Sequence, residues 1–519
     1  MREKKNQFFK FIVLLSFCFL FTACSKEASK PGETKPKAES QSDSPAVESS
    51  TVTENGQSTS GSPEGMDGFR LVNKQWTGDF DGMVKRRLIR VLTTYSKTNF
   101  FVDLGTQRGV VYEVFHRYEE ELNKKLNNKN IRVHVVFIPV AHDELIPALL
   151  EGKGDVIAAG KLVNEWRKER VDFTNPTMTH VSSVVVTGPG APPIHSLKDL
   201  AGKELYLRPS TVSQQSVDQF NAMLAKDGLP PVKINAAPEV LADEDILEMV
   251  NAGLVPITIC HGFIADFWSQ IFSNLTVHKD VAVKEEGEIA WMIRKNSPQL
   301  MAELNAFITQ YPEGSLQRNI LLKKYLKDVK FAKGATSKKE MEKFQKAVNF
   351  IREYSTKYDL DYLLMAAQGY QESTLDQNKK SPVGAIGVMQ VMPGTGKDMK
   401  VGDIRQLEPN VHAGVKYIRF MMNQYYANEP MDQLSKALFT FASYNAGPAR
   451  IKSLREKAAQ RNYDPNKWFN NVEIIAAESI GRETVQYVSN IYKYYLAYKM
   501  LVEQQEVRKK AKAAVASKP

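Results

Sequence analysis

At 519 residues, 43% of them hydrophobic, 25% charged and 10% aromatic, the chain is long enough for two or three self-supporting domains, and it is not a disordered polymer, a fibrous repeat or a polytopic membrane protein. Three cysteines, Cys18, Cys24 and Cys260, cannot build a disulfide framework. The balance of 69 Lys and Arg against 59 Asp and Glu, +10 in all, suits an anionic partner without selecting one, and no nucleic-acid motif accompanies it, so nucleic acid is not expected as a partner.

Arg2, Lys4 and Lys5 precede an apolar run from Phe11 to Ala23, too short for a permanent membrane helix and well sized for the core of a signal peptide over residues 1–23. The run ends Leu20-Phe21-Thr22-Ala23-Cys24, which resembles a bacterial lipobox with Phe21 where leucine is usual. That resemblance implies cleavage before Cys24, acylation of Cys24 and a lipid bilayer as partner, since several acyl chains anchor durably where one is marginal. Cys18 would leave with the signal, and no intramolecular disulfide would then be possible. Residues 24–67 are rich in Ser, Thr, Glu, Lys, Pro and Gly, with no aromatic before Phe69. Such a stretch cannot bury enough apolar area to offset its chain entropy and reads as a flexible tether, with a reach of roughly 35–40 Å.

Residues 84–312 read as alternating strands and helices. Leu88 to Thr93 is a strand, Val110 to Leu122 has apolar residues at helical spacing, and Ile131 to Pro139 is β-branched and alternating. Asp155 to Ala159 and Val181 to Val186 follow as buried strands, then short strands at Lys203–Leu207, Val232–Asn235, Val255–Cys260 and Glu288–Arg294, with a helix at Ile246–Ala252. Two α/β lobes fit this length. Gly154-Asp155-Val156, then Arg167 ahead of Val171-Asp172-Phe173-Thr174-Asn175-Pro176, then Asp199-Leu200-Ala201-Gly202-Lys203, resemble the amino-acid-binding family of periplasmic solute-binding domains. The resemblance implies a two-lobed fold closing on a small ligand, with Arg167 clamping a carboxylate through its planar guanidinium. Two positions depart from the family: Asn164 stands where a threonine is expected, and Cys260-His261 where amino-acid binders place an aspartate for the ligand amine. His261 is therefore either a ligand contact or a hydrogen-bonded core histidine. The 8 histidines are scattered without ligand spacing, so neither a metal nor another cofactor is expected.

The composition turns lysine-rich and polar near Gln317–Gly334, and residues 335–500 read as all-helical, with Phe344, Val348, Ile351, Tyr354 and Tyr358 recurring every three to four residues. Four features there carry chemistry. Tyr370-Gln371-Glu372-Ser373 lies where a helix begun near Asp361 should end. Ser381 to Gln390 packs glycines around a small apolar run closed by an amide, and Ala442-Ser443-Tyr444-Asn445-Ala446-Gly447-Pro448 places an aromatic and an amide before a helix stop. In Glu483-Thr484-Val485-Gln486-Tyr487-Val488-Ser489-Asn490-Ile491, Thr484, Tyr487 and Ile491 share one helical face.

In this order and spacing the four resemble the goose-type lysozyme-like lytic transglycosylase domain of bacterial cell-wall enzymes. Val388 replaces the usual leucine of Gly-Leu-Met-Gln, and Glu478 to Thr484 lacks the usual Pro-aromatic pair. The resemblance implies that Glu372 is the catalytic acid, acting on the β-1,4 bond between N-acetylmuramic acid and N-acetylglucosamine in peptidoglycan glycan strands. Such an acid must be buried to stay protonated, and Met365, Val388, Met389 and Phe441 are the apolar candidates to bury it. One carboxyl suffices if the muramyl acetamido oxygen assists and Glu372 then deprotonates the 6-hydroxyl, giving a 1,6-anhydromuramyl end. Gln390, Tyr444 and Asn445 would orient the glycan, Tyr487 would fix the Glu372 rotamer, and Ser373 would assist that ordering or cap the helix. Glu478 and Glu483 read as structural.

A lipid anchor, a solute-binding domain and a C-terminal transglycosylase domain together resemble the membrane-bound lytic murein transglycosylase F family. The expected fold is therefore multidomain, an α/β two-lobed solute-binding fold followed by a mainly α lysozyme-like domain. The expected place is the periplasmic face of the bacterial outer membrane, with a muropeptide, peptide or amino-acid-like ligand regulating the enzyme. A non-catalytic receptor that binds glycan and a hydrolytic muramidase are the competing readings. Residues 501–519, alternately charged and alanine-rich, read as a disordered tail.

Overall fold

The computed structural model describes residues 72, 74–329 and 338–516. The signal sequence, Cys24 and the tether lie outside them. No helix among the described residues is long and apolar enough to cross a membrane.

Leu88–Thr93 runs at the centre of the first lobe, parallel to His134–Pro139 on one side and to Val156–Ile157 on the other. Met292–Ile293 and Asp172–Phe173 complete a five-stranded sheet. Burial on both faces is why Ile89, Val91 and Leu92 are apolar without alternation, with Arg90 the one charged residue among them. The helix Val110–Lys125 covers it through Val111, Phe115, Tyr118 and Leu122, the residues at helical spacing. Asp155 is fully buried and accepts from the Arg90 amide at 2.8 Å and from its guanidinium at 3.0 Å, with Arg86 on the same carboxylate. The Gly-Asp-Val sequence is thus a core ion-pair site of this lobe.

The second lobe is built on an antiparallel sheet of Ile257–His261, Met178–Thr187 and Thr276–Ile289, with Glu204–Leu207 and Lys233–Ala236 paired in parallel beside it. The run expected as one strand at Glu288–Arg294 divides between lobes: Ile289 ends a strand of the second and Met292 begins one of the first. Hydrophobic pattern cannot reveal a crossover where both halves are buried. Helix Leu316–Leu326 belongs to this domain rather than to a linker, because Tyr325 is buried and donates to Glu113 at 2.7 Å.

The C-terminal region is helical throughout, from Lys338–Lys357 to the 35-residue helix Arg482–Ala516. The tail expected as disordered continues that helix. Its charges are not solvated repeats: Arg508 pairs with Asp245 of the second lobe, Lys512 reaches Asp245 at 2.7 Å and Glu248 at 2.9 Å, and Ala511 and Val515 pack against that lobe's core. The same helix docks on the first lobe, where Lys493 meets Glu119 at 2.8 Å and Tyr498 donates to the Gly105 carbonyl at 3.0 Å.

Candidate active site

The helix Tyr362–Ser373 starts at Asp361, whose carboxylate accepts from the Leu363 amide at 2.8 Å, and stops at Thr374, left-handed at φ 59°. Glu372 therefore lies in the last turn. Ser373, one residue on, points inward: its hydroxyl is 2.8 Å from the Val388 carbonyl and accepts from the Asp376 amide at 3.1 Å. It ties the helix end to the glycine-containing loop and is 1% exposed, so it positions the backbone around Glu372 and does not face a substrate.

That loop is held from a third element. Asn410 accepts from the Met389 amide at 2.9 Å and donates to the Ile386 carbonyl at 2.8 Å. Gly387 has φ +77°, and a side chain there would press on Asn410 and Gln377 at 2.6 Å, which is why glycine occupies the position. The Gln390 amide donates to the Gly387 carbonyl at 2.8 Å and the Lys379 carbonyl at 3.2 Å, leaving its oxygen as the free end.

Tyr444 comes from the end of Gln433–Ala446, where Gly447 stops the helix at φ 90°. Its hydroxyl donates to the Met389 carbonyl at 2.7 Å. Thr484 donates to the Asn445 side-chain oxygen at 2.7 Å and so pins the first turn of Arg482–Ala516 to this corner. One turn later Tyr487 donates a short hydrogen bond to Glu372 Oε1, and the fully buried Gln368 approaches the same hydroxyl at 3.5 Å.

Burial pushes the Glu372 carboxyl up to about 7, against the opposing pull of the Tyr487 hydrogen bond and of Lys379. Met365, Val388, Met389 and Phe441, the apolar candidates, are all fully buried in the core of this domain. Burial and the field of Glu372 hold both the Tyr444 and Tyr487 phenols well above their ordinary value, so each keeps its proton and can donate it in a hydrogen bond. Among the described residues no second carboxylate perturbs Glu372. Glu478 is exposed and paired with Arg461, and Glu483 lies exposed in the first turn of its helix. The arrangement is one carboxylic acid, protonated near neutrality and oriented by a tyrosine.

Residues 349–468 match the family model described as the Transglycosylase SLT domain, and residues 89–328 match that of the bacterial extracellular solute-binding proteins, family 3. Curated relatives join the same two parts. The membrane-bound lytic murein transglycosylase F of Desulfosudis oleivorans is 25% identical over 78% of this chain and 89% of its own length, and that of Stutzerimonas stutzeri is 27% identical over 79% and 84%. That of Cronobacter sakazakii is 25% identical over 86% of this chain and 85% of its own. The chain thus carries, in the same order, the two domains of the relatives that bear the name membrane-bound lytic murein transglycosylase F. A solved structure, a putative ABC-transporter binding component from Wolinella succinogenes complexed with lysine, is 20% identical over 48% of this chain and 99% of its own, with a TM-score of 0.39.

With a transglycosylase SLT domain and a solute-binding domain the chain is a lytic transglycosylase, and the sequence-predicted residues divide between the two parts. Glu372, Tyr444 and Tyr487 meet at one place, and Asn445 supports it through Thr484. Arg167 and His261 both line a cavity of about 480 Å³ between the lobes of the solute-binding domain. Arg167 is 4% exposed and already donates to the Leu162 carbonyl at 2.6 Å and, across the cleft, to the Ser210 carbonyl at 3.0 Å. Asn164, the departure from threonine, caps the short helix carrying Arg167. Sequence reasoning missed Gln368, Asn410 and Gln377. Only Gln368 left a trace, four residues before Glu372 on the same helical face.

Proposed function

We propose that this chain cleaves the β-1,4 bond between N-acetylmuramic acid and N-acetylglucosamine without water, with Glu372 as the only acid–base group. The observation that carries this reading is a single carboxyl raised to about 7 by burial, bonded to Tyr487 and without a carboxylate partner among the described residues. A two-carboxylate glycosidase needs a second acidic group about 5 Å away, or roughly 6.5–9.5 Å away to hold a water. Glu372 gives its proton to the departing glycosidic oxygen as the C1–O4 bond breaks, and the 2-acetamido oxygen of the muramyl residue bonds to C1 in its place. The resulting carboxylate then takes the proton of the 6-hydroxyl, and O6 displaces the acetamido oxygen from C1. Glu372 ends protonated, and the product is a 1,6-anhydromuramyl end. Tyr487 holds the carboxyl rotamer, while Tyr444, Asn445 and the free oxygen of Gln390 orient the glycan.

Digestion of purified sacculi by the chain and by its Glu372→Gln variant, with products weighed by mass spectrometry, tests this. The anhydro product is lighter by one water than the hydrolytic one. A heavier product makes the chain a muramidase, and equal digestion by the variant removes Glu372 from the chemistry. The accompanying proposals are acylation at Cys24 with residence on the periplasmic face of the outer membrane, and control of cleavage by a muropeptide or peptide in the solute-binding cleft. Loss of palmitate labelling in Cys24→Ser checks the first. Cleavage rates with and without added muropeptide check the second.

A further inference from the structure

The cavity between the lobes carries more positive than negative charge, and three of its cations are buried. Lys161 and Arg167 are 9% and 4% exposed, Arg208 is 5% exposed, and all three line the cavity. Among the described residues two carboxylates line it, and both are engaged: Asp243 by Arg208, and Glu113 by Lys324 at 2.6 Å and Tyr325 at 2.7 Å. Glu239, which reaches Lys161 through its field, is bonded to the amide and hydroxyl of Ser210 at 2.8 and 2.6 Å. Among the described residues Lys161 has the imidazole of His142 as its hydrogen-bond partner, and the Arg167 guanidinium has backbone carbonyls.

The neutral polar groups point the same way. His142 Nε2, His261 Nδ1 and Arg208 Nε are buried without a hydrogen-bond partner. Burial and neighbouring positive charge hold both imidazoles below their ordinary value, so they are neutral. His261 offers no negative charge at the place where an aspartate would receive an ammonium. One part of the wall is apolar, with Val110, Val114, Phe307 and, from helix Leu316–Leu326, Ile320 and Leu321, while the other polar side chains on it, such as Thr94, Asn99 and Thr211, are uncharged or, like Arg117 and Arg318, positive.

We propose that this cleft binds an amphipathic organic anion with no ammonium group, its acidic head on Lys161 and Arg167 and its apolar body against Phe307, Ile320 and Leu321. The proposal rests on reading the cleft as a ligand site and specifies the class of ligand. A free amino acid brings one negative charge and one positive, and the positive one meets three cations and no available carboxylate. A carboxylate alone supplies the missing counter-charge to two buried cations, whose isolation is costly without it. Burial and the nearby arginines press the Lys161 ammonium well below its ordinary value, and an entering anion relieves both.

Calorimetric titration of the full chain with three probes of one skeleton, 3-phenylpropionate, 3-phenylpropionamide and L-phenylalanine, separates head charge from apolar body. The acid is expected to bind at least about tenfold more tightly than either of the others. Lys161→Met is expected to erase most of the preference of acid over amide while raising the melting temperature, because it removes a buried unpaired cation. Phenylalanine binding as tightly as the acid overturns the proposal and leaves the cleft an amino-acid site. Amide binding as tightly as the acid overturns it in favour of an apolar pocket, and no binding of any probe to about 10 mM overturns the ligand reading itself. No glycan is present in these titrations, so failure of the cleavage chemistry at Glu372 would be scored separately.

Discussion

Glu119 and Glu372 are both withdrawn from water, yet they sit on opposite sides of the ordinary carboxylate range. Burial raises both. At Glu119 the effect is outweighed by Lys493, 2.8–2.9 Å away, and by His134, and its carboxylate is held well below the usual value. At Glu372 only Tyr487 and the distant Lys379 oppose burial, and the carboxyl stays near 7. The same side chain is thus a permanent anion that fastens the C-terminal helix to the first lobe, or a carboxyl that keeps its proton up to near neutrality, according to whether a cation was placed beside it.

The sharpest break of this contrast is removal of the donor. Glu372→Gln keeps the size and the hydrogen bond to Tyr487 and loses the proton. Sacculus cleavage should fall by about a thousandfold or more, a general-acid effect, while the circular dichroism spectrum is unchanged. Next is removal of the cation. Lys493→Met leaves Glu119 buried with only His134 and the Val135 amide, and the stability measured in urea should drop by about 3 kcal/mol. Glu119→Gln in the same background should recover part of that loss, since the uncompensated charge goes with it.

The pH dependence of stability separates the two glutamates by sign. Glu372 has a folded value near 7 against 4.5 for an ordinary glutamate. Between those values the unfolded chain has released this proton and the folded chain has kept it, so rising pH favours unfolding, and the penalty is complete above 7. Glu372→Gln, which does not titrate, should therefore be more stable than the parent by about 1–3 kcal/mol at pH 7.5 and equal to it near pH 4. Glu119 runs the other way: its contribution is present above the ordinary carboxylate value and is lost as the pH falls below it. Glu119→Gln should flatten the acid arm of the stability curve. Parallel curves for the two variants would mean that neither environment is as described.

The two glutamates were unequally legible in the sequence. Glu372 stands in a short run, Tyr370 to Ser373, and three of its supports stand in other short runs, so local pattern was enough to gather them. Glu119 reads as one more polar residue in an amphipathic helix, and its partner Lys493 is 374 residues away on a helix whose tyrosines dominate its pattern. The tail fails for the same reason. Arg508 and Lys512 resemble a solvated charge run until Asp245 and Glu248 are brought opposite them by the second lobe. Asn410 holds the Gly387–Gln390 loop through backbone groups alone, a role no residue pattern announces. The two lobes were legible because fully buried strands are written as apolar runs. The crossover within 288–294 was not, because both halves of that run are buried.

The smallest expected effect concerns the one group that pulls Glu372 downward by hydrogen bonding. Tyr487→Phe keeps the ring packed at a 7% exposed position and deletes the hydroxyl that bonds Oε1. Two consequences have opposite directions. The carboxyl loses a donor that favours its ionised form, so its pKa rises above about 7 and the alkaline limit of activity, set by loss of the acid's proton, moves to higher pH. The carboxyl also loses its anchor, and Gln368 loses a partner, so the rotamer spreads and the rate at the optimum falls by about tenfold. A pH–rate profile of Tyr487→Phe should therefore be lower and displaced toward alkali. A profile that is lower but not displaced would assign Tyr487 to substrate rather than to Glu372, because only direct contact with the carboxyl moves its titration.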